Sequence, residues 1–352
     1  MARLLLSVLL VFTSGCANIA YYAQAVQGHL RVMAAAHPIP RLVADPATDP
    51  TLRKQLEQVT AIREFASREL ALPDNGSYRS YAALGRLYVV WNVFAAPELS
   101  VAPKQWCLLF VGCVNYRGYY AKDEAEQFAA GLRTQGFDAY VGGVPAYSTL
   151  GLFSDPVLNT FLRFGEHEVA RTIFHELAHQ LVYAGGDSTF NESFATAVEN
   201  EGVRRWLIHI GALDRLREFE TQQQRKAQFR RLVENCRERL RSIYASPLLP
   251  EEKRRAKADA FAEMKREYAE LKAGWGGYAG YDRWFGQPLN NATVSSVTLY
   301  TQWVPAFDAL LEREGGSLPR FYLRVAELAH LSKPDRAAAL AALMPATAKP
   351  LP

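Results

Sequence analysis

The sequence predicts an α+β fold, with a small few-stranded sheet ahead of a predominantly helical body. Segments rich in β-branched and aromatic residues are concentrated between about residues 75 and 160, and turn residues separate them. From residue 156 onward the apolar residues recur mostly at helical spacing. The composition, 49% hydrophobic and 22% charged, is that of a globular protein with a real core. We therefore expect a functional cleft between the sheet and the helices.

The overall charge gives no sign of a nucleic-acid partner. The net charge is +4, the pI is about 8.8, and Lys and Arg are interleaved with Glu and Asp. A nucleic-acid binder usually concentrates its basic residues beside exposed aromatic side chains. We expect no nucleic-acid partner.

The first sixteen residues, MARLLLSVLLVFTSGC, have the pattern of a signal peptide. Arg3 precedes an apolar run from Leu4 to Phe12, which is far shorter than the roughly 20 residues of a spanning helix. The ending TSGC resembles a bacterial lipobox, although Thr13 replaces its usual leucine. The resemblance implies a lipidated Cys16 and an exported protein held on a membrane of the bacterial cell envelope, at its periplasmic face. The alternative is an ordinary signal peptide with an incidental cysteine.

Residues 17–352 are predicted to form a single domain. Its first helix, within YYAQAVQGHLRVMAAAHPIPRLV, is expected to end at the Pro38 and Pro40 pair, and a second helix follows in DPTLRKQLEQVTAIREFASREL. Strands are predicted in RLYVVWNVFAAPEL, QWCLLFVGCVNYRGYY and FDAYVGGVPAYST, and the helix DEAEQFAAGLRTQG is closed by Gly136. Helices follow over 161–210, a charged helical hairpin over 212–273 with Pro247 and Pro250 at its turn, and C-terminal helices over 274–352.

Three cysteines remain after Cys16. Cys107 and Cys113 flank a short segment, so they either form a disulfide or are buried thiols in neighbouring strands. We favour the disulfide because Gly112 lets the chain bend between them. Cys236, within a charged helical stretch, is predicted to be free.

The segment HELAHQ, residues 175–180, is the strongest functional signal. Residues four apart lie on one helical face, so His175 and His179 can bind one tetrahedral metal ion. Glu176 is rotated by about 100°, which brings it within reach of a metal-bound water as a general base. An apolar stripe continues around the motif, and Gly185 is expected to end the helix: Val169, Ile173, Leu177, Leu181.

A second helix, containing NESFA, supplies the third ligand by resemblance. HELAH followed by NESFA resembles the gluzincin metallopeptidases, the clan of thermolysin and the zinc aminopeptidases. The resemblance implies that Glu192 is the third ligand of one Zn²⁺ per chain and that Glu199 supports a ligand histidine from behind. Twelve residues separate His179 from Glu192, fewer than in the well-known zinc aminopeptidases, so the connecting loop should be minimal. The alternative is three polar groups on packed helices with no metal.

The whole chain resembles a group of bacterial lipoproteins described as aminopeptidases, through its lipobox, VGGVPAYSTLG, HELAHQ, NESFA and LNNA. This resemblance implies a peptide substrate. The zinc aminopeptidases hold the substrate amine with a G-A-M-E-N segment, which is absent here. Glu166 and Glu168 are substitute candidates for that role.

The resemblance also suggests residues that bind the substrate. In VGGVPAYSTLG, an edge strand is expected to pair with the peptide backbone through Val144, Ala146, Tyr147 and Ser148, although a plain turn and strand would need no function. Asn290 and Asn291 could bind the same backbone or cap the helix that follows them.

An oxyanion formed on the substrate needs a hydrogen-bond donor. Clan members use a residue from the C-terminal half, and Tyr278 and Tyr281 are the candidates here, with Tyr300 behind them. Aromatic packing of the loop is the alternative role for each tyrosine.

Two rival functions remain open. One is a zinc endopeptidase that acts on cell-envelope peptides and needs no amine anchor. The other is a surface lipoprotein that keeps zinc without catalysis. The presence of Glu176 argues against the second rival, because a structural site has no use for a base.

Overall fold

The computed structural model describes residues 21–108, 112–298 and 302–345. It confirms an α+β fold, with sheets of two or three strands beside a body made mostly of helices. The predicted signal segment, including Cys16, and Tyr300 lie outside the described residues. None of the described helices combines the length and the apolar character needed to cross a bilayer.

The N-terminal elements pack beneath the HELAH motif. Helix α1 covers residues 21–34, and β1 (Ala36–Pro38), α2 (Ile39–Ala44) and α3 (Pro50–Arg68) follow. The predicted end of the first helix at the proline pair is therefore wrong. Pro40 lies instead in the first turn of α2, where a missing N–H costs nothing. Strand β1 pairs antiparallel with β2 (Ser80–Ala82), which pairs parallel with β8 (Val157–Leu158).

A second three-stranded sheet is built from β3 (Val90–Pro97), β6 (Arg117–Tyr119) and β7 (Phe137–Val144). Strand β3 lies between β6 and β7, both antiparallel to it. Helix α4 (Lys122–Thr134) covers this sheet with its apolar face, and Gly136 follows it with φ +82°, as predicted. Since β7 pairs with β3 on one side only, it is an edge strand.

The predicted disulfide is present. Strands β4 (Trp106–Leu108) and β5 (Gly112–Val114) form an antiparallel hairpin in which Cys107 lies opposite Cys113, and the two sulfurs are bonded. Cys236 is free and buried, also as predicted.

The helical body begins with α5 (Asn159–Leu162) and the pair α6 (Glu166–Leu181) and α7 (Ser188–His209). The charged segments form α8 (Leu213–Ala245) and α9 (Pro250–Gly274), which pack on each other around their own apolar cluster. The remaining helices are α10 (Asp282–Phe285), α11 (Asn291–Thr298), α12 (Val304–Arg313), α13 (Leu318–His330) and α14 (Lys333–Leu343). Helix α11 links the helical body to the second sheet, because it contacts α8 as well as strands β3 and β7.

A buried ion pair joins the last helix to the turn between α6 and α7. The Arg336 guanidinium donates to Asp187 at 2.7 Å, and the two side chains are 6% and 9% exposed. Arg336 also donates to the carbonyls of Leu328, Ala329 and Leu331 at the end of α13.

Removal of this arginine should destabilise the whole protein. Because Arg336→Ala leaves the Asp187 carboxylate buried without its counter-charge, we expect the free energy of unfolding to fall by about 3–5 kcal/mol. Urea unfolding followed by circular dichroism measures this change. The exposed Arg313, in the last turn of α12, provides the control Arg313→Ala. Equal stability of the two variants would contradict the prediction.

Candidate metal centre

Helices α6 and α7 form a tightly linked pair that carries the two sequence motifs. Only residues 182–187 connect them, as the short spacing predicts. The Asn191 side chain accepts from the Ala184 N–H at 2.7 Å and donates to the Ala184 carbonyl at 2.9 Å, while Asp187 caps α7 by accepting from Phe190 N–H at 3.2 Å. These bonds fix the start of α7, and with it Glu192, against the end of α6.

The predicted helix end at Gly185 is wrong. Helix α6 stops at Leu181 because Val182 is extended, and the left-handed residue in the connecting turn is Gly186, with φ +75°. The predicted apolar stripe holds, since Val169, Ile173 and Leu177 are at most 4% exposed.

A close contact sets the distance between the helices. A Cβ placed on Gly202 of α7 would lie 2.7 Å from the Phe174 ring and 2.9 Å from Leu70. A larger residue would push α7 away from α6. Because ligands from both helices must meet at one point, Gly202 is part of the support for the site.

The structure brings the three predicted ligands together. His175 Nε2 lies 3.1 Å from His179 Nε2 and 3.3 Å from Glu192 Oε2, and His179 Nε2 lies 3.6 Å from Glu192 Oε1. Among the described residues, these three form the one group of histidines, cysteines and carboxylates suited to a metal ion. The His179 side chain is 7% exposed and that of Glu192 is 38% exposed, so the group faces solvent on the Glu192 side.

The separations of the candidate ligand atoms are close to those around a tetrahedral zinc ion. Bonds of about 2.0–2.1 Å from zinc to nitrogen or oxygen at tetrahedral angles place neighbouring ligand atoms about 3.3 Å apart. The two imidazole nitrogens are 3.1 Å apart, and each lies near a different oxygen of Glu192: His175 is 3.3 Å from Oε2 and His179 is 3.6 Å from Oε1. Three ligands with one open direction is the arrangement of catalytic zinc sites rather than structural ones.

Behind the ligands, Glu199 holds His175 in place. Its Oε2 lies 2.8 Å from His175 Nδ1, so the imidazole turns its other nitrogen toward Glu192. Arg171 Nη1 lies 3.3 Å and Lys226 Nζ 3.7 Å from Glu199 Oε1. Burial would raise the pKa of Glu199, but Arg171, the hydrogen bond to His175 and Lys226 hold it far below its usual range. Glu199 is therefore a permanent anion.

The two ligand histidines differ in their affinity for protons. Burial lowers the pKa of His179 to about 4, which keeps that imidazole neutral. Burial also opposes protonation of His175, but hydrogen bonds to Glu192 and Glu199 raise its pKa to about 10. An imidazole must be neutral to bind a metal ion, so a cation bound here competes with the proton of His175.

The contact between Glu199 and His175 leads to a prediction for metal affinity. Glu199→Gln keeps the size of the side chain but removes the charge that orients the imidazole and increases its basicity. We expect zinc affinity to fall by about 10–100-fold. Competition with a chelator of known affinity measures it. Glu57→Gln, on the exposed face of α3, is the control, and an unchanged zinc affinity of the Glu199 variant would exclude this role.

Glu176 lies beside the ligands on the same helix. Burial raises the pKa of its carboxyl to about 7, and the nearby carboxylates of Glu192 and Asp155 add to the effect while His175 opposes it. A base with a pKa near neutrality is suited to accept a proton and return it in one reaction cycle.

The segment 73–78 lies along the Glu176 side of α6, an arrangement that the sequence analysis missed. Gln180, one turn after Glu176, donates to Ser77 Oγ at 3.2 Å and accepts from Asn75 Nδ2 at 2.7 Å. Tyr78, which follows Ser77, is 1% exposed, and its hydroxyl is buried without a hydrogen-bond partner among the described residues. Burial raises the pKa of Tyr78, and the Glu176 carboxylate raises it further, so the phenol stays neutral beside the carboxylate.

A buried arginine holds this segment. The Arg63 guanidinium, on α3, donates to the carbonyls of Ser77 at 2.9 Å, Pro73 at 2.6 Å and Asn75 at 3.2 Å. The arginine is 1% exposed. The left-handed backbone of Tyr78, with φ +62°, is kept in place by this contact and by its N–H, which donates to the backbone carbonyl of Asp155 at 2.6 Å.

The predicted substrate strand is partly a loop. Val144 ends β7, the edge strand, but Ala146, Tyr147 and Ser148 follow the strand, because Pro145 has no N–H to continue the ladder. Ala146 is 8% exposed, the Tyr147 hydroxyl lies 2.8 Å from His29 Nδ1, and Ser148 Oγ accepts from Leu150 N–H at 3.0 Å. Strand pairing is therefore confined to Val144 and the residues before it.

Asn290 and Asn291 make structural hydrogen bonds within the protein. Asn290 caps α11 by accepting from Thr293 N–H at 3.0 Å, and Asn291 is 1% exposed. The Asn291 amide donates to the carbonyls of Pro97 and Glu98 and accepts from the Tyr244 hydroxyl. A side chain engaged in this way has no group left for a peptide, so the substrate-binding prediction for Asn291 is corrected and the capping alternative holds for Asn290.

The tyrosine candidates lie in the loop before α10. The Tyr281 ring stacks on Phe229 of α8, with centroids 4.1 Å apart, and Arg225 lies over the Tyr278 ring at 4.4 Å. The first contact is aromatic stacking, and the second is a cation–π contact beside the edge-to-face contact of Tyr278 with Trp275. The role of the two tyrosines as oxyanion donors stays a prediction.

The two alternative amine anchors already have partners. Glu166 accepts from the Trp206 indole at 3.0 Å and from Arg215 at 2.7 Å. Glu168 accepts from Arg171 at 2.8 Å. Both carboxylates are thus already paired with arginines, and their role as amine anchors stays a prediction.

Comparison with known proteins identifies the family of this chain. No curated protein and no solved structure matches the chain. A family described as "Putative aminopeptidase" matches residues 20–340, which is most of the chain and includes both metal-site helices. The chain therefore belongs to that family.

Proposed function

We propose that this protein is a zinc-dependent peptidase, and specifically an aminopeptidase, with one Zn²⁺ held by His175, His179 and Glu192. The observation that carries the proposal is the convergence of His175, His179 and Glu192, whose ligand atoms lie within 4.8 Å of one another, with one side open to solvent. Membership of the aminopeptidase family supports a peptide substrate. A zinc ion at this position supplies Lewis acidity to a peptide carbonyl and to a water molecule.

Side chains and backbone of the chain itself would transfer the proton, orient a ligand histidine and bind the peptide. Glu176 accepts the proton of the attacking water and later delivers it to the leaving amine, for which a pKa near 7 is suitable. Glu199 keeps His175 in the orientation and tautomer that the metal requires. The edge strand β7 is the candidate for backbone pairing with an extended peptide.

Two related substrates test the exopeptidase assignment. An aminoacyl amide with a free amine should be cleaved by the zinc-loaded protein, while the same compound with an acetylated amine should not. The variant Glu176→Gln controls for contaminating peptidases. Equal cleavage of both compounds would contradict the aminopeptidase assignment and favour an endopeptidase. If the zinc-loaded protein cleaves neither compound, the peptidase assignment is wrong.

We also propose that the protein is exported and held on a membrane of the bacterial cell envelope through a lipid on Cys16. The support is the N-terminal sequence, with its short apolar run and the TSGC ending. Mass spectrometry of the mature N-terminus tests this, since lipidation adds the mass of acyl chains to Cys16. Release of the protein into the soluble envelope fraction would contradict it.

A further inference from the structure

We infer that a continuous apolar face made by α1 and the loop after β7 docks on the lipid bilayer. The face consists of Val26, Leu30, Leu150, Leu152 and Phe153, which are 59, 56, 41, 83 and 49% exposed. This inference rests on the lipid anchor proposed above and goes beyond it, because it assigns a protein surface and an orientation.

Helix α1 has apolar residues both on the face that packs against the domain and on its outer face. Val32 is 1% exposed, and a Cβ on Gly28 would meet the Tyr120 ring at 2.1 Å, so this side packs tightly on the domain. Val26 and Leu30, also four apart, lie on the outer side. Between residues 21 and 34 the helix has no acidic residue and only one basic residue, Arg31. A solvated outer helical face normally carries several charges, and this one carries only Arg31.

The loop contributes the most exposed apolar side chain. Hydrogen bonds within the loop hold its turn. Leu152 N–H donates to the Thr149 carbonyl and Phe153 N–H donates to Thr149 Oγ1, both at 3.1 Å. Leu150 adopts a left-handed backbone, with φ +55°. The exposure of Leu152 is therefore a property of an ordered turn.

An aromatic contact makes the two parts one surface. The His29 ring, on α1 between Val26 and Leu30, lies 4.6 Å from the Phe153 ring. The same imidazole bonds to Tyr147 at 2.8 Å, immediately before the loop. Contiguous apolar patches of this kind mark interaction surfaces.

The position of the anchor identifies the bilayer as the occupant. Four residues separate Cys16 from Tyr21, where the described part of α1 begins, and the five steps between these two Cα atoms span at most about 18 Å when fully extended. A lipid on Cys16 thus keeps α1 close to the membrane surface. An apolar helix face at the interface adds area to an acyl anchor in the same way as an interfacial helix.

Spin labels give the decisive measurement. Leu152→Cys takes a nitroxide selectively, because Cys107 and Cys113 are bonded to each other and Cys236 is buried. The matched control is Leu323→Cys on α13, where the leucine is 67% exposed. The lipidated full chain is bound to vesicles of phosphatidylethanolamine and phosphatidylglycerol, and collisions with oxygen and with a water-soluble nickel chelate are compared.

We expect the label at position 152 to collide mainly with oxygen and the label at position 323 mainly with the nickel chelate. If both labels are equally accessible to nickel, the inference is wrong. If the label at 152 is shielded to the same degree in a lipid-free solution, a second copy or another protein segment covers the face, and the inference is also wrong.

A second measurement removes the anchor. With Cys16→Ser in the mature chain, which lacks residues 1–15 and their apolar run, sedimentation with the same vesicles reports the protein surface alone. Leu152→Ser combined with Phe153→Ser should lower the partition coefficient by about tenfold or more, and Leu323→Ser should not. An equal effect of the two changes would contradict the inference. Because peptide cleavage and the mass of Cys16 are measured separately, failure of the proposed peptidase or of the anchor remains distinguishable.

Discussion

Replacing Glu176 by glutamine is expected to lower kcat by about 10²–10⁴-fold, the range of general acid–base catalysis by a positioned side chain. The amide has the same size as the carboxyl group but cannot accept a proton from water. Glu176 contributes no atom to the group of ligands formed by His175, His179 and Glu192, so zinc content should remain one per chain. Single-turnover cleavage of an aminoacyl amide, with zinc measured by mass spectrometry, checks both parts.

The control for this prediction is Glu57→Gln, a substitution of the same chemistry on the exposed face of α3. It should change neither zinc content nor kcat. If Glu176→Gln retains full activity, the mechanism proposed above is wrong even if zinc is bound. If the variant loses zinc, Glu176 has a structural role that its position beside the ligands does not indicate.

Removing any one of the three ligands is expected to weaken zinc binding by more than about 100-fold, since even a group behind the ligands contributes about 10–100-fold. The variants His175→Ala, His179→Ala and Glu192→Ala each leave two ligands and a wider opening. Equilibrium dialysis against buffered zinc measures the affinity directly. All three should lose catalysis together.

Thermal stability gives a readout that does not depend on activity. Zinc at about 100 times its Kd should stabilise the folded protein by about 2.7 kcal/mol, and this gain should be absent from the ligand variants. His330→Ala, at the exposed end of α13, is the matched control and should respond to zinc like the unsubstituted protein. A zinc-induced shift that persists in Glu192→Ala would exclude Glu192 as a ligand.

The sequence predicted the parts of the site that depend on local periodicity. The spacing of His175 and His179 and the apolar stripe through Ile173 and Leu177 require only that one helix form and bury one face. Glu192 was predicted from a resemblance, and the structure supplies the physical reason. The Asn191 and Asp187 contacts fold α7 back so that its first turn faces the histidines.

The parts that were not predicted depend on contacts between distant segments. Arg171 lies one turn before His175, a spacing that could have suggested a partner for Glu199, but nothing local indicates Lys226. Tyr78 reaches the Glu176 side of α6 only because Arg63, fifteen residues earlier, holds its loop. The buried state of Asn291 likewise depends on a sheet almost 200 residues away in the chain.

The ion pair between Asp187 and Arg336 has a consequence for when the site is completed. Arg336 belongs to the last described helix, and it fixes the turn that positions Glu192. A nascent chain emerging from a translocation channel would present both histidines long before this arginine arrives. With the export and the zinc site proposed above, we expect the metal to be acquired only after nearly the entire chain has crossed the membrane, so that the metal supply of the receiving compartment sets how much active protein is made.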